Sequence, residues 1–427
     1  MRITMEYISH TLSNGLRVIF APMPQTTTAT VIVMSGTGSR YENASENGLA
    51  HFLEHMFFKG TAKRPSARVI SEELDAIGSI YNAFTSKDRT AYYAKVSARY
   101  IDTALDVISD IFLNSTLPSK EITKERGAII QEIDMYEDMP MYTVDNVFDA
   151  LIFGPEHPLG RTILGPKENI RAFNRRDFTS YLKRNYTPGN TVVCVAGSFP
   201  QKKTLESIRK TFGHIPASDV PQHQPFSFAQ ESPRMAIKEK KTDQTQLMLG
   251  VPAYPYLHKD EYAIDVLSTI LGGGMSSRLF MEVREKRGLA YSVQAWAEKY
   301  PDMGYFVVQA GVEHGKLEKT VSTILGEFRK IKRVKVSPQE LRKAKSYMKG
   351  TMSLSLETSD RIAQSAASSL ISIGRVRTLE EVMKGIDAVT AEDIQRVAQD
   401  TLQTKHLNFA VIGPHADVKK FAPLLRT

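Results

Sequence analysis

The chain has 427 residues, 42% hydrophobic and 24% charged, the composition of a soluble globular protein of two or three domains at ~150 residues each. Fifty-five Lys and Arg against 47 Asp and Glu give a net charge of +8, mild for this length and without the clustered basic run of a nucleic-acid or membrane-surface footprint. One cysteine, Cys194, excludes an intrachain disulfide and a Cys-rich metal site, and fits a reducing compartment.

Met1 to Tyr7 bring in an acid, Glu6, early and lead into no apolar run of signal-peptide length, and no later stretch approaches ~18 apolar residues. The expectation is a protein neither secreted by that route nor membrane-spanning, cytoplasmic, or of the mitochondrial matrix if a transit peptide has been removed. Leu16–Ala21 and Thr28–Ser35 then have the short apolar pattern of strands.

Between Asn47, suited to cap a helix, and Gly60, suited to end one, stands His51-Phe52-Leu53-Glu54-His55. On a helix, residues four apart share a face, so His51 and His55 point the same way and Glu54 borders them. Two imidazoles one turn apart can hold one Zn²⁺, and a carboxylate beside them can take a proton from a water activated there. This is the mirror order of His-Glu-x-x-His and the inverzincin signature. Two surface histidines with a chance glutamate would give the same letters, but 10 histidines in 427 residues make that spacing rare by accident.

Ser79–Thr85 and Thr90–Val96 read as a hairpin turning at Ser86-Lys87-Asp88. Ser119–Tyr136 reads as a helix with Ile122, Ile129 and Ile133 on one stripe and Glu125 and Glu132, seven apart, on another face. A catalytic zinc usually has three protein ligands. For an arbitrary helix a solvated acidic face is the preferred reading of two such glutamates, and a ligand is the alternative.

Asn174–Gly197 aligns without gaps with Thr390–Gly413, 216 residues later. Asp177, Phe178, Tyr181 and Leu182 meet Asp393, Ile394, Val397 and Ala398 in helical spacing, and an apolar run ending in glycine follows in both copies. Duplication is the expectation, with domains at 1–215 and 234–427 joined by a linker at 216–233 that carries Pro216, Pro221, Pro225 and Pro233. Strand-like runs in each half (Gln246–Val251 and Tyr305–Ala310 in the second) precede long helical patterns without strict βαβ alternation. That predicts an α+β fold of two homologous domains, each a mainly antiparallel sheet packed with helices. Gly272-Gly273-Gly274 lacks phosphate-loop spacing and reads as a flexible turn.

Together, His51-Phe52-Leu53-Glu54-His55 and Glu125 to Glu132 resemble the pitrilysin/insulinase (inverzincin) metallopeptidases, in the short-chain branch that resembles mitochondrial processing peptidase. The likeness continues at Tyr81-Asn82-Ala83-Phe84-Thr85, His157-Pro158-Leu159-Gly160, Ser276 with Arg278-Leu279-Phe280, and Arg284 to Tyr291. It implies a zinc endopeptidase with one Zn²⁺ per chain, held by His51, His55 and Glu132. It implies Glu125 as a carboxylate behind the ligands, Glu54 as the base, and Arg284 and Tyr291 as stabilisers of the developing oxyanion. It also implies that Asn82 and Ala83 meet an extended, unfolded peptide added to the strand edge, in a closed chamber. The family contains non-catalytic core and assembly subunits, which typically lack the metal motif that this chain keeps. In the resembling family the short chains pair around the chamber, and heterodimeric members divide the metal motif and the Arg/Tyr pair between subunits. This chain has both, so the resemblance implies a homodimer with sites shared between chains, with neither nucleic acid nor membrane as partner.

Overall fold

A computed structural model describes residues 6–417 and 419–427 of the protein; the opening Met1–Met5 read above lie outside them. Eleven strands among the described residues make two sheets. In the first half these are β1 (Ile8–Thr11), β2 (Arg17–Pro22), β3 (Thr28–Ser35), β4 (Ile80–Thr85), β5 (Thr90–Ser97) and β6 (Thr191–Gly197). In the second they are β7 (Arg234–Glu239), β8 (Thr245–Ala253), β9 (Ala290–Lys299), β10 (Gly304–Val312) and β11 (Asn408–Gly413).

The strand orders are β1-β2-β6-β3-β5-β4 and β7-β11-β8-β10-β9. Apart from the added β1, one order maps onto the other. Each sheet has one parallel pair, β2 with β6 and β7 with β11, and is otherwise antiparallel. The duplicated segment keeps even its local chemistry. Asn174 with Asp177 and Thr390 with Asp393 form the same reciprocal capping box at the starts of helices Arg175–Asn185 and Ala391–Thr401, and β6 and β11 follow, fully buried. The predicted two-domain α+β architecture is what forms.

The compact units interleave along the chain. One comprises the chain up to Asp134, Arg161–Gln224 and Ser353–Leu379; the other comprises Met135–Gly160, Pro225–Met352 and Glu380–Thr427. In the first unit, one face of the sheet packs on helices Leu49–Phe57 and Ile101–Asn114. Its other face, with Ile19, Ile32, Met34 and Cys194, packs on Ile362, Ala363 and Ala366 of helix Ser359–Ile373. In the second unit, Val144, Phe148 and Ile152 of helix Pro140–Phe153 cover Met248, Val307 and Ala410. Each sheet therefore takes the cover of one face from the other half of the sequence, on either side of the irregular 216–233 stretch.

Gly272 ends helix Glu261–Gly272, where a Cβ would lie 2.4 Å from Ala295 N in β9. Gly272 serves close approach of the helix end to the strand, while Gly273 and Gly274 lie in the bend that follows, where the turn was expected. Among the described residues no helix is long and apolar enough to cross a membrane.

Candidate metal centre

Helix Leu49–Phe57 carries the His51-x-x-x-His55 pair, and its start differs from the expectation. Asn47 is not the cap. Gly48 occupies that position at φ 101°, where a Cβ would lie 2.6 Å from Leu164 O. Asn47 instead donates to Thr162 O and to Glu42. The orphan N–H groups of the helix go to Glu42, whose carboxylate accepts from Ala50 N at 2.6 Å and Gly48 N at 3.0 Å. Burial pushes the Glu42 carboxyl up to about 8, against these hydrogen bonds. The helix ends at Phe57, three residues before Gly60.

Helix Ser119–Glu137 lies alongside with Ile122, Ile129 and Ile133 in the core. Its two glutamates are not a solvated acidic face: Glu125 is 7% exposed, and Glu132 turns inward. Glu132 Oε2 lies 3.6 Å from His51 Nε2 and 3.5 Å from His55 Nε2. One ligand atom from each residue lies within 4.8 Å of the other two. Atoms bound to one zinc at ~2.0–2.1 Å in a tetrahedron are separated by ~3.4 Å, so this donor set fits that ion with little rearrangement.

The two imidazoles are prepared differently. His51 is buried, and that burial together with the charge of His55 pushes its pKa down to about 3. Its Nδ1 is buried with no hydrogen-bond partner among the described residues. Burial alone would lower His55, but the Glu125 hydrogen bond and the charges of Glu132, Glu125 and Glu54 outweigh it and raise the pKa. His55 Nδ1 is 2.9 Å from Glu125 Oε1, and Lys59 Nζ is 2.6 Å from Glu125 Oε2. Burial would raise Glu125, yet these two partners hold it down at about 2. An ionised Glu125 accepts the Nδ1 proton, so it is the Nε2 proton that His55 gives up to become a neutral metal ligand.

Glu54, half-buried beside the pair, accepts a hydrogen bond from Thr85 Oγ1 at 2.5 Å. Burial raises its pKa, with Thr85 and His55 opposing. Among the described residues β4 pairs with β5 alone, leaving its outer edge open. Asn82 is exposed on it, its Oδ1 accepting from Ala83 N, and Ala83 is half-buried.

In the other unit, a π-helical turn at Phe280–Glu285 presents Arg284, a backbone irregularity common at functional sites. The guanidinium carbon lies 4.8 Å from the Phe280 ring centre and 4.9 Å from that of Tyr291. Tyr291, a residue whose apolar ring suits a core, is 76% exposed. The two residues singled out by resemblance are thus brought into contact.

Sequence reasoning did not single out Glu42 or Lys59, nor give Thr85 a role. Lys59 was within reach, since it follows His55 by four residues on the same helical face. Glu42 acts across a loop and had no such signal.

Residues 17–167 match the family described as Insulinase (Peptidase family M16), and 172–348 match Peptidase M16 inactive domain. YmxG of Bacillus subtilis, described as an uncharacterized zinc protease, is 36% identical over 414 residues, 96% of this chain and 98% of its own. A protein of Rickettsia felis with the same description is 34% identical over 411 residues, 96% of this chain and 98% of its own. Among solved structures, a protease from Helicobacter pylori superimposes with TM-score 0.88 at 26% identity, over 96% of this chain and all of that one. A peptidase M16 inactive domain from Pseudomonas fluorescens, 19% identical over 96% of this chain and 98% of that one, shares the fold at TM-score 0.85. By its sequence along nearly its whole length, and by two related α+β domains of which the first carries the His51, His55 and Glu132 group, the chain belongs to the insulinase family of peptidases, M16.

Proposed function

We propose that this chain is a zinc-dependent endopeptidase that hydrolyses internal bonds of extended, unfolded peptides. His51, His55 and Glu132 hold the ion and Glu54 is the base. The single observation that carries this reading is the convergence of three neutral or anionic donor atoms with a fourth carboxylate, Glu54, beside them. Zinc, when bound, polarises the scissile carbonyl and makes water a nucleophile near neutral pH.

The chain's own residues supply the rest. Glu125 holds the His55 Nδ1 proton and so keeps its Nε2 available. A peptide added along the open edge of β4, main chain to main chain, is positioned by Asn82 and Ala83, a mode that tolerates many sequences. Glu54 takes a proton from the attacking water as the C–O bond forms, then delivers it to the amide nitrogen as the C–N bond breaks. Arg284 and Tyr291 face the negative charge that develops on the carbonyl oxygen. We propose further that two copies pair around a closed chamber, the first domain of one supplying the base and ligands and its partner supplying Arg284 and Tyr291. Possession of both sets by one chain supports this arrangement.

The test is cleavage of quenched-fluorescent peptides by the purified protein. Turnover that a chelator abolishes and stoichiometric zinc restores is the expected result. No turnover on any member of a varied peptide library, with zinc bound, would favour a non-catalytic subunit of the same fold.

A further inference from the structure

A carboxylate next to a metal site has two possible employments. It can coordinate the ion, or it can stay outside and move protons, and the side chain of a glutamate has torsions enough for either. The last torsion of glutamate is broad and roughly two-fold, so nothing intrinsic holds the carboxylate plane. Glu54 neighbours His55 and lies close enough to Glu132 to feel its charge, so what holds it decides its employment.

The holder is Thr85. It is the last residue of β4, and strand period puts Tyr81, Ala83 and Thr85 on one face. Tyr81 and Ala83 pack into the core shared with helix Leu49–Phe57, whereas Phe84 packs on the opposite side of the sheet. Thr85 is itself firmly placed. It pairs with Thr90, which is fully buried and donates from its hydroxyl to Thr37 O at 2.9 Å. The intervening turn is closed by Ser86 N on Arg89 O at 2.8 Å. From this fixed point the Thr85 hydroxyl donates to Glu54 Oε2 at 2.5 Å. The other oxygen, Oε1, has no hydrogen bond among the described residues.

We infer that Thr85 is the positioning residue for the base, its hydroxyl occupying Glu54 Oε2 so that the carboxylate stays outside the ligand set with Oε1 turned to receive the proton. The inference rests on the proposed peptidase reading and adds to it a division of labour between the two oxygens. It also ties the base to the strand on which the peptide is laid. A small misplacement of a catalytic group costs up to ~100-fold in rate. Loss of the hydroxyl should therefore act on the chemical step and leave binding alone.

The experiment compares Thr85→Val, Thr85→Ala and Thr85→Ser with wild type, all zinc-loaded, for kcat and KM on one quenched-fluorescent peptide. Two further measurements do not involve turnover: the zinc dissociation constant, and the affinity of metal-free protein for a fluorescein-labelled copy of that peptide. The expected result is kcat down ~10- to 100-fold in Thr85→Val with KM within ~2-fold. Thr85→Ser should recover to within ~3-fold of wild type, and zinc and peptide affinities should be unchanged to the same margin. Thr85→Ala, which places no β-branched carbon in the site, should reproduce the loss if Thr85→Val does not fold. Wild-type kcat in either variant overturns the inference while leaving the peptidase reading intact. So does a loss that appears in KM and in the metal-free peptide affinity, which would place the role of Thr85 in the strand rather than in the base. A wild-type protein that binds zinc and cleaves nothing overturns the peptidase reading, and this inference with it.

Discussion

His55 and Glu125 face each other at 2.9 Å across two helices, and the same carboxylate holds Lys59 at 2.6 Å on its other oxygen. A metal-binding imidazole whose far nitrogen is held in this way has its tautomer and ring orientation set before the ion arrives. Glu125→Gln keeps the shape and removes the charge. It should weaken zinc binding ~10- to 100-fold without unfolding the domain, measured by competition with a chromophoric chelator. Unchanged affinity would mean that the His55 ring is held by something else.

The unequal imidazoles give a proton count. His51 sits at about 3 and is neutral near pH 6, whereas His55 is raised above its usual 6.5 and carries a proton there. A metal must displace that proton, so affinity falls as the pH falls. Calorimetric titration at pH 6 in two buffers of different ionisation enthalpy should show about one proton released per zinc. None would show that His55 is not charged there, and a second would have to come from His51 or from Glu132, whose carboxyl burial also raises.

The interleaved units predict how the chain fails when cut. A fragment ending at residue 224 lacks helix Ser359–Ile373 and leaves Ile19, Ile32, Met34 and Cys194 uncovered. It should be molten, with lost near-ultraviolet dichroism and strong binding of hydrophobic dye. A cooperatively unfolding, native-like fragment would contradict the packing described here.

That exchange marks the limit of what could be read in the letters. The repeat was legible because a capping box and a buried strand are local patterns, and Asn174 with Asp177 and Thr390 with Asp393 bear them openly. His51, Glu54 and His55 were legible for the same reason. Helical periodicity shows that Ile362, Ala363 and Ala366 form an apolar face, as do Val144, Phe148 and Ile152, but not which sheet each face covers, because hydrophobic contact is not directional. The cap of helix Leu49–Phe57 was misjudged on similar grounds. A local rule chose Asn47, while the fold brings in Glu42 from a preceding loop. Tyr291 was open to the opposite error, an apolar ring that suits a core and stands instead at the surface against Arg284.

A site divided between two chains can be complemented. Glu54→Gln and Arg284→Ala proteins should each be inactive, and a mixture that exchanges subunits should regain part of the activity, since one of the two sites in a mixed dimer is wholly wild type. A mixture that stays dead although exchange is demonstrated, or an active species that sediments as a monomer, would contradict the shared site.

The most direct measurement of the central claim is Glu54→Gln itself, assayed for zinc content and peptide turnover on the same sample. Glu54 is assigned to proton transfer and not to the ligand set, so the variant should hold close to stoichiometric zinc, keep its fold, and lose at least ~100-fold in kcat. Near wild-type turnover with zinc in place, or loss of the zinc along with the activity, would contradict the account.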